Sequence, residues 1–228
     1  MESFLFTPSE DNFLYFFLSS GGFTPSVLAV IILGWAIFWG SRWDKNCSDV
    51  FASKPLNISV LALLSLLGLG VGFFYQGFFA FFAMGVFSVM LLLAFIDAKK
   101  LAVPDWLNFG LFFLVIFGAI TFDPNIARFF QKMLEGLALA GLFAVLRIFG
   151  DMISKREILG EADIIFIASA GFLFGLDGAL TGIFLGCVFG SAWALFLRLF
   201  GKKISKIPLI TFIILGLFFG FFLEVYDV

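Results

Sequence analysis

Two aspartates stand where apolar segments meet polar loops, and a close pair of such acids can activate water. Asp97 follows the apolar run VMLLLAFI, and Asp163 precedes the run IIFIA. The chain has no histidine, so acid–base chemistry falls to Asp, Glu, Lys, Tyr or Cys. Two neighbouring carboxyl groups cannot both ionise easily. The ionised acid then takes a proton from water while the protonated acid polarises a carbonyl group, which is metal-free peptide hydrolysis.

The composition predicts that these acids belong to an integral membrane protein. The chain is 62% hydrophobic and 13% charged, whereas soluble domains carry about 25% charged residues. A transmembrane helix needs about 20 mostly apolar residues. We therefore predict an all-α polytopic transmembrane bundle of about eight spans, at 26–41, 57–75, 77–96, 106–122, 131–149, 163–177, 178–198 and 208–224.

The basic residues predict how the bundle is oriented. Every Lys and Arg except Arg128 and Lys132 falls in segment 42–56, 97–105, 147–162 or 198–207. Cytoplasmic loops carry the excess of basic residues. The four segments are thus predicted on the cytoplasmic side of the cytoplasmic (inner) membrane, with both termini on the other side.

Small residues and acids along the predicted spans indicate how helices pack. Glycines recur every four residues at 178, 182, 186 and 190, and also at 171 and 175, a pattern typical of closely packed membrane helices. Asp163 is expected near a helix N-terminus, where the macrodipole favours negative charge. Glu135, in the first turn of a span, is interpreted as a structural partner of a helix dipole.

Three ordered segments resemble the motifs of the type IV prepilin peptidases, which are GxGD-type intramembrane aspartyl proteases. AFIDAKKLAVPDWLN (94–108) resembles the first aspartate motif, and LGEADIIFIASAG (159–171) resembles the second. KIPLITFIILG (206–216) is similar to a late segment of the family.

The resemblance implies an aspartyl endopeptidase that removes the leader from prepilin or pseudopilin substrates at the cytoplasmic face, without metal or cofactor. Asp97 and Asp163 carry over as the catalytic pair. The residues expected to shape the loops and the substrate site are Gly160, Glu161, Ala162, Pro104, Asp105 and Asn108. The whole chain, 1–228, is expected to be one membrane domain, with an N-terminal helix and loop (1–56) and a peptidase core (57–228).

The sequence departs from the family pattern at three places. Ala162 stands where the motif has glycine, and Ile165 stands where many members have lysine. The loop 42–56 contains one cysteine, Cys47, and cannot bind zinc through four cysteines. The sequence therefore leaves N-methylation open, as it does the choice among pilus, secretion, competence and flagellin substrates.

Two other functions compete with the peptidase on the residues alone. The same acids could relay protons in a small proton-coupled transporter, since ionisable residues in membrane helices often mark ion pathways. A catalytically inactive membrane scaffold is the third interpretation. A net charge of −2 indicates no nucleic-acid partner.

Overall fold

The computed structural model describes residues 23–42, 48–74, 77–122, 125–155, 159–201 and 207–226. In this part of the chain the regular structure is entirely α-helical, so the predicted all-α class is confirmed. Cys47 and the basic residues at 45, 156, 202, 203 and 206 lie outside the described residues. The helices are α1 (Phe23–Arg42), α2 (Lys54–Phe74), α3 (Gly77–Lys100), α4 (Asp105–Phe122), α5 (Ile126–Ser154), α6 (Glu161–Leu199) and α7 (Leu209–Tyr226).

The helices have the length and apolarity of a multi-pass membrane protein. Among the described residues, five helices are long and apolar enough to cross a bilayer: α2, α3, α4, α5 and α6. Shorter apolar segments lie in α1 and α7, at Val27–Arg42 and Leu209–Gly220. The number of spans and the side of the termini stay predictions.

The chain divides into two compact units, Met1–Leu92 and Leu93–Val228. In the first unit, α1 packs against α2 through glycines. A Cβ added at Gly68 would lie 2.7 Å from Ile31 Cγ1, and one at Gly72 would lie 2.7 Å from Val27 Cγ2. The glycines therefore allow the two helix backbones to approach closely. Both candidate acids belong to the second unit.

The two predicted spans 163–177 and 178–198 form a single element, α6, which a glycine breaks. Its 39 residues would extend roughly 58 Å as a straight helix at ~1.5 Å per residue, about twice the ~30 Å hydrocarbon thickness. The break lies at Gly175, not between residues 177 and 178. Gly175 has φ 75° and ψ 177°, a backbone conformation that is essentially restricted to glycine.

The two segments of α6 pack against different helices, and each segment runs antiparallel to the helix that it contacts. At the start of the first segment, Glu161 contacts Arg147 of α5. Just past the break, Leu176 contacts Glu135, which lies earlier in α5. The first segment therefore runs antiparallel to α5. In the second segment, Gly182 lies against Leu217 of α7. Further along, Gly190 lies near Phe212, so this segment runs antiparallel to α7.

The regularly spaced glycines of α6 at 171, 175, 178, 182, 186 and 190, which we call the glycine stripe, contribute to the packing on both sides. A Cβ added at Gly186 would lie 2.7 Å from the Cα atom of Ile213, and a Cβ at Gly216 would collide with the carbonyl oxygen of Gly182. In the first segment, a Cβ at Gly171 would lie 2.9 Å from the Cα atom of Gly136 on α5. The stripe therefore packs α6 closely on two sides, as small residues do in membranes.

Glu135 stabilises the break in α6. Its Oε2 accepts a hydrogen bond from the Leu176 N–H (3.2 Å), and its Oε1 accepts one from Gln131 Nε2 (2.9 Å). The break frees N–H groups at the start of the second segment, and a carboxylate there satisfies a donor and complements the dipole. Because α5 begins at Ile126, Glu135 is not in the first turn of its own helix, and the helix dipole that it complements is that of the second segment of α6.

Replacement of Gly175 by alanine should destabilise the protein, because alanine is strained at this φ and ψ. We expect Gly175→Ala to lower the free energy of unfolding by ~1–3 kcal/mol, measured by denaturant titration in detergent micelles. Gly141→Ala is the matched control, because Gly141 lies in helix α5 with open space around its Cα atom. Equal stability of the two variants would contradict the role assigned to Gly175.

Candidate active site

Asp97 lies in the last turn of α3 and its carboxyl group caps a distant helix. The residue is only 6% exposed. Its Oδ2 accepts a hydrogen bond from the backbone N–H of Thr211 at 3.0 Å, and the Thr211 hydroxyl lies 3.2 Å from the same oxygen. Thr211 is in the first turn of α7, where backbone N–H groups have no partner within the helix. A buried acid and an unsatisfied helix terminus therefore satisfy each other.

The Thr211 side chain adds a second link between the two helices. Its Oγ1 lies 2.8 Å from the carbonyl oxygen of Ala94, one turn before Asp97. The start of α7 is therefore attached to α3 at both a backbone carbonyl and a carboxyl group. The sequence motif at 206–216 pointed to this region but assigned Thr211 no role.

Asp163 lies in the first turn of α6, as expected. Its Oδ2 accepts a hydrogen bond from the Gly160 N–H at 3.0 Å, so the side chain reaches back to the residue that caps the helix. This is the reciprocal half of a capping box, and it fixes the direction of the carboxyl group. The helix dipole also favours negative charge at this position.

The two acids lie within electrostatic range of each other, at one end of the second unit. Both acids therefore lie at helix N-termini, Asp163 in its own helix and Asp97 against α7. Among the described residues, no group of three His, Cys, Asp or Glu side chains is placed to hold a metal ion.

Asn108 connects the loop after the first acid to the helix that carries the second. Its Nδ2 donates to the carbonyl oxygen of Ala162 at 2.7 Å, and the whole residue is buried. Its backbone N–H donates to the carbonyl of Pro104 at 3.2 Å, within the turn that begins α4. Pro104, Asp105 and Asn108 are predicted to shape the loop after the first acid, and the structure shows in addition that Asn108 binds the residue directly before Asp163.

The remaining motif residues have smaller roles in the geometry. Asp105 is exposed in the first turn of α4, where a carboxylate complements the dipole. Glu161 is 81% exposed at its side chain and accepts a hydrogen bond from Arg147 Nη2 at 3.3 Å, an exposed pair of the kind that contributes ~0–1 kcal/mol. This contact connects the end of α5 to the start of α6.

The glycine motif around Asp163 serves close approach and not a left-handed turn. Gly160 has φ −74° and ψ 156°, which any residue adopts, but a Cβ there would lie 3.2 Å from Asp163 Oδ2. Ala162 is already helical. The alanine at this position therefore fits without strain, because no positive φ is required.

Comparison with known families identifies the segment that carries both acids. Residues 84–195 match the type IV leader peptidase family. This segment is therefore similar to the type IV leader peptidases, and we call it the leader peptidase domain. The predicted family is confirmed, and the family is one of proteases. The leader peptidase domain includes Asp97, Asn108 and Asp163, whereas Thr211 lies beyond the matched residues. No curated protein and no solved structure matches the chain.

Loss of the Asn108 amide should impair the leader peptidase through the position of Asp163. In Asn108→Ala the part-buried Ala162 carbonyl loses its side-chain donor, and a hydrogen bond of this kind contributes ~0.5–1.5 kcal/mol to the free energy of unfolding. The folded fraction of Asn108→Ala is separated by size-exclusion chromatography, and its rate of peptide cleavage is measured. We expect this rate to be lower than that of the unmodified protein, so that the loss of activity is greater than unfolding alone explains.

Asn125→Ala is the matched control for this variant. Asn125 caps α5 by accepting the Ala127 N–H at 3.0 Å, and it lies at the opposite end of α5 from Arg147. Its loss should cost about 1 kcal/mol of stability and leave cleavage by the folded protein unchanged. Equal cleavage by the two folded variants would contradict a positioning role for Asn108.

Proposed function

We propose that the protein is an aspartyl endopeptidase that removes the leader peptide from type IV prepilin-like precursors, with Asp97 and Asp163 as its catalytic pair. One observation carries the proposal. The two acids of the leader peptidase domain lie close together, and each accepts a backbone hydrogen bond at a helix N-terminus. Such an arrangement holds each carboxyl group at a helix end within electrostatic range of the other, which supports water activation by the pair.

The mechanism follows from a pair that carries one negative charge. The ionised acid removes a proton from a water molecule held between the carboxyl groups, and the water oxygen attacks the scissile carbonyl carbon. The protonated acid donates to the carbonyl oxygen as charge develops there. Proton return to the departing amine completes the cleavage. The dipoles of α6 and α7 stabilise the negative charge of the pair throughout.

The site is proposed to face the cytoplasm. Asp97 contacts the start of α7 and acts electrostatically on Asp163 at the start of α6, so these helix ends share one end of the second unit. Lys99 and Lys100 follow Asp97 in the last turn of α3. Basic residues of this kind concentrate in cytoplasmic loops, which supports the cytoplasmic face of the inner membrane.

The position of the acids also supports a substrate that is itself a membrane segment. Both acids lie at the ends of apolar helices, so the scissile bond would lie at the membrane surface and not in the hydrocarbon. A prepilin or pseudopilin, cleaved next to its hydrophobic helix, presents such a bond. Residues 57–228 would form the peptidase core.

The catalytic pair is tested by neutral isosteres of each acid. The protein is co-expressed with a prepilin from the same genome, and leader removal is followed by gel shift. We expect Asp97→Asn and Asp163→Asn each to lower cleavage at least ~1,000-fold, because neither amide can take or give the required proton.

Asp177→Asn is the matched control, because Asp177 is exposed in α6 beyond the break at Gly175, away from the acid pair. This variant should cleave normally. Cleavage by either catalytic-site variant at the rate of the unmodified protein would refute the aspartyl mechanism. A proton flux that both variants abolish, in a protein that never processes prepilin, would instead identify a proton-coupled transporter.

A further inference from the structure

We propose that Thr211 is a positioning residue that keeps Asp97 hydrogen-bonded in both of its protonation states, by redirecting one hydroxyl proton between Asp97 and Ala94. The inference rests on the proposed function, because it concerns an acid that gains and loses a proton in each turnover. Thr211 lies outside the residues that match the leader peptidase family.

The geometry gives the Thr211 hydroxyl two competing acceptors. Its Oγ1 lies 2.8 Å from the Ala94 carbonyl oxygen and 3.2 Å from Asp97 Oδ2. A hydroxyl group has one proton to donate and two lone pairs that accept. The Thr211 hydroxyl therefore donates to only one of these two oxygens at a time. A hydrogen bond to the other oxygen forms only if the hydroxyl accepts a proton from it.

The protonation state of Asp97 decides whether the Thr211 hydroxyl donates its proton to Asp97 or to the Ala94 carbonyl. An ionised carboxylate only accepts, so the hydroxyl donates to Oδ2 beside the backbone N–H of Thr211, 3.0 Å away. A carboxyl group protonated on Oδ2 becomes a donor to Oγ1, and the hydroxyl proton then turns to the Ala94 carbonyl. No heavy atom has to move between the two states.

The change of hydrogen-bond partner by the Thr211 hydroxyl matters because Asp97 is buried. The residue is 6% exposed, so water has little access to replace a missing hydrogen bond. A buried polar group without a partner is destabilised, because it has given up its hydrogen bonds to water and gained none in return. A backbone N–H can donate to either form, but it cannot accept the proton of the protonated form. The hydroxyl group serves both, and so reduces the reorganisation that proton transfer would otherwise require.

The experiment compares Thr211→Val with Thr211→Ser. Valine has nearly the shape of threonine and keeps the backbone N–H, but it lacks the hydroxyl group, whereas serine keeps the hydroxyl group. Cleavage of purified prepilin in detergent should show kcat lowered roughly 10- to 100-fold in Thr211→Val, with KM unchanged. Thr211→Ser should retain the kcat of the unmodified protein.

Thr121→Val is the matched control, because the Thr121 hydroxyl donates only within its own helix, to the Phe117 carbonyl at 2.7 Å. Its kcat and KM should be unchanged. Normal kcat in Thr211→Val, or failure of serine to restore kcat, would overturn the inference. Cleavage that survives Asp97→Asn and Asp163→Asn would instead refute the proposed function, so the two failures are distinguishable.

Thermal unfolding of each variant separates positioning from folding. If Thr211→Val does not fold, Thr211→Ala and Thr211→Ser decide the question: serine should exceed alanine in kcat, and equal values would overturn the inference. If neither valine nor alanine is tolerated, the role of Thr211 is structural and the proposal is wrong.

Discussion

The hydrogen bonds between Asp97 and Thr211 solve two physical problems at once. A carboxyl group in apolar surroundings is costly unless donors satisfy it, and the first turn of a helix contains N–H groups that need acceptors. The Asp97 side chain meets the start of α7 across 114 residues of chain, and each supplies what the other lacks. The acid is therefore fixed by the fold itself, before any substrate binds.

The contact between Asp97 and Thr211 requires the chain to return, along α6, to the end of the second unit at which α6 begins. The break at Gly175 divides the helix, and the Glu135 carboxylate satisfies an N–H group that the break frees. Lipid provides no hydrophobic force between membrane helices, so close packing must hold the segments. Gly182 and Gly186 allow α7 to lie against the second segment, which leaves Thr211 beside Asp97. The glycines thus act on the acid pair indirectly, through the helices that they pack.

The second acid is held by shorter-range contacts. Gly160 lacks a Cβ atom that would crowd the Asp163 carboxyl group, and its N–H donates to that group. Asn108 reaches from α4 to the Ala162 carbonyl and fixes the turn before the acid. The two carboxyl groups therefore depend on different helices, α7 for Asp97 and α4 for Asp163. A change in the packing of either helix would alter the distance between the acids.

Features encoded in short stretches of sequence could be predicted before the fold was known. Runs of about 20 apolar residues predicted membrane helices, and the segments 94–108, 159–171 and 206–216 resembled the motifs of a protease family. How Asp97, Asn108 and Asp163 contact other parts of the chain could be seen only in the folded protein. The break at Gly175, the contact of Asn108 with Ala162 and the capping of α7 by Asp97 join segments far apart in the chain. Hydropathy indicates whether a segment lies in lipid or in water, but it does not indicate which helix packs against which. The pairing of the helices is therefore known only from the folded structure.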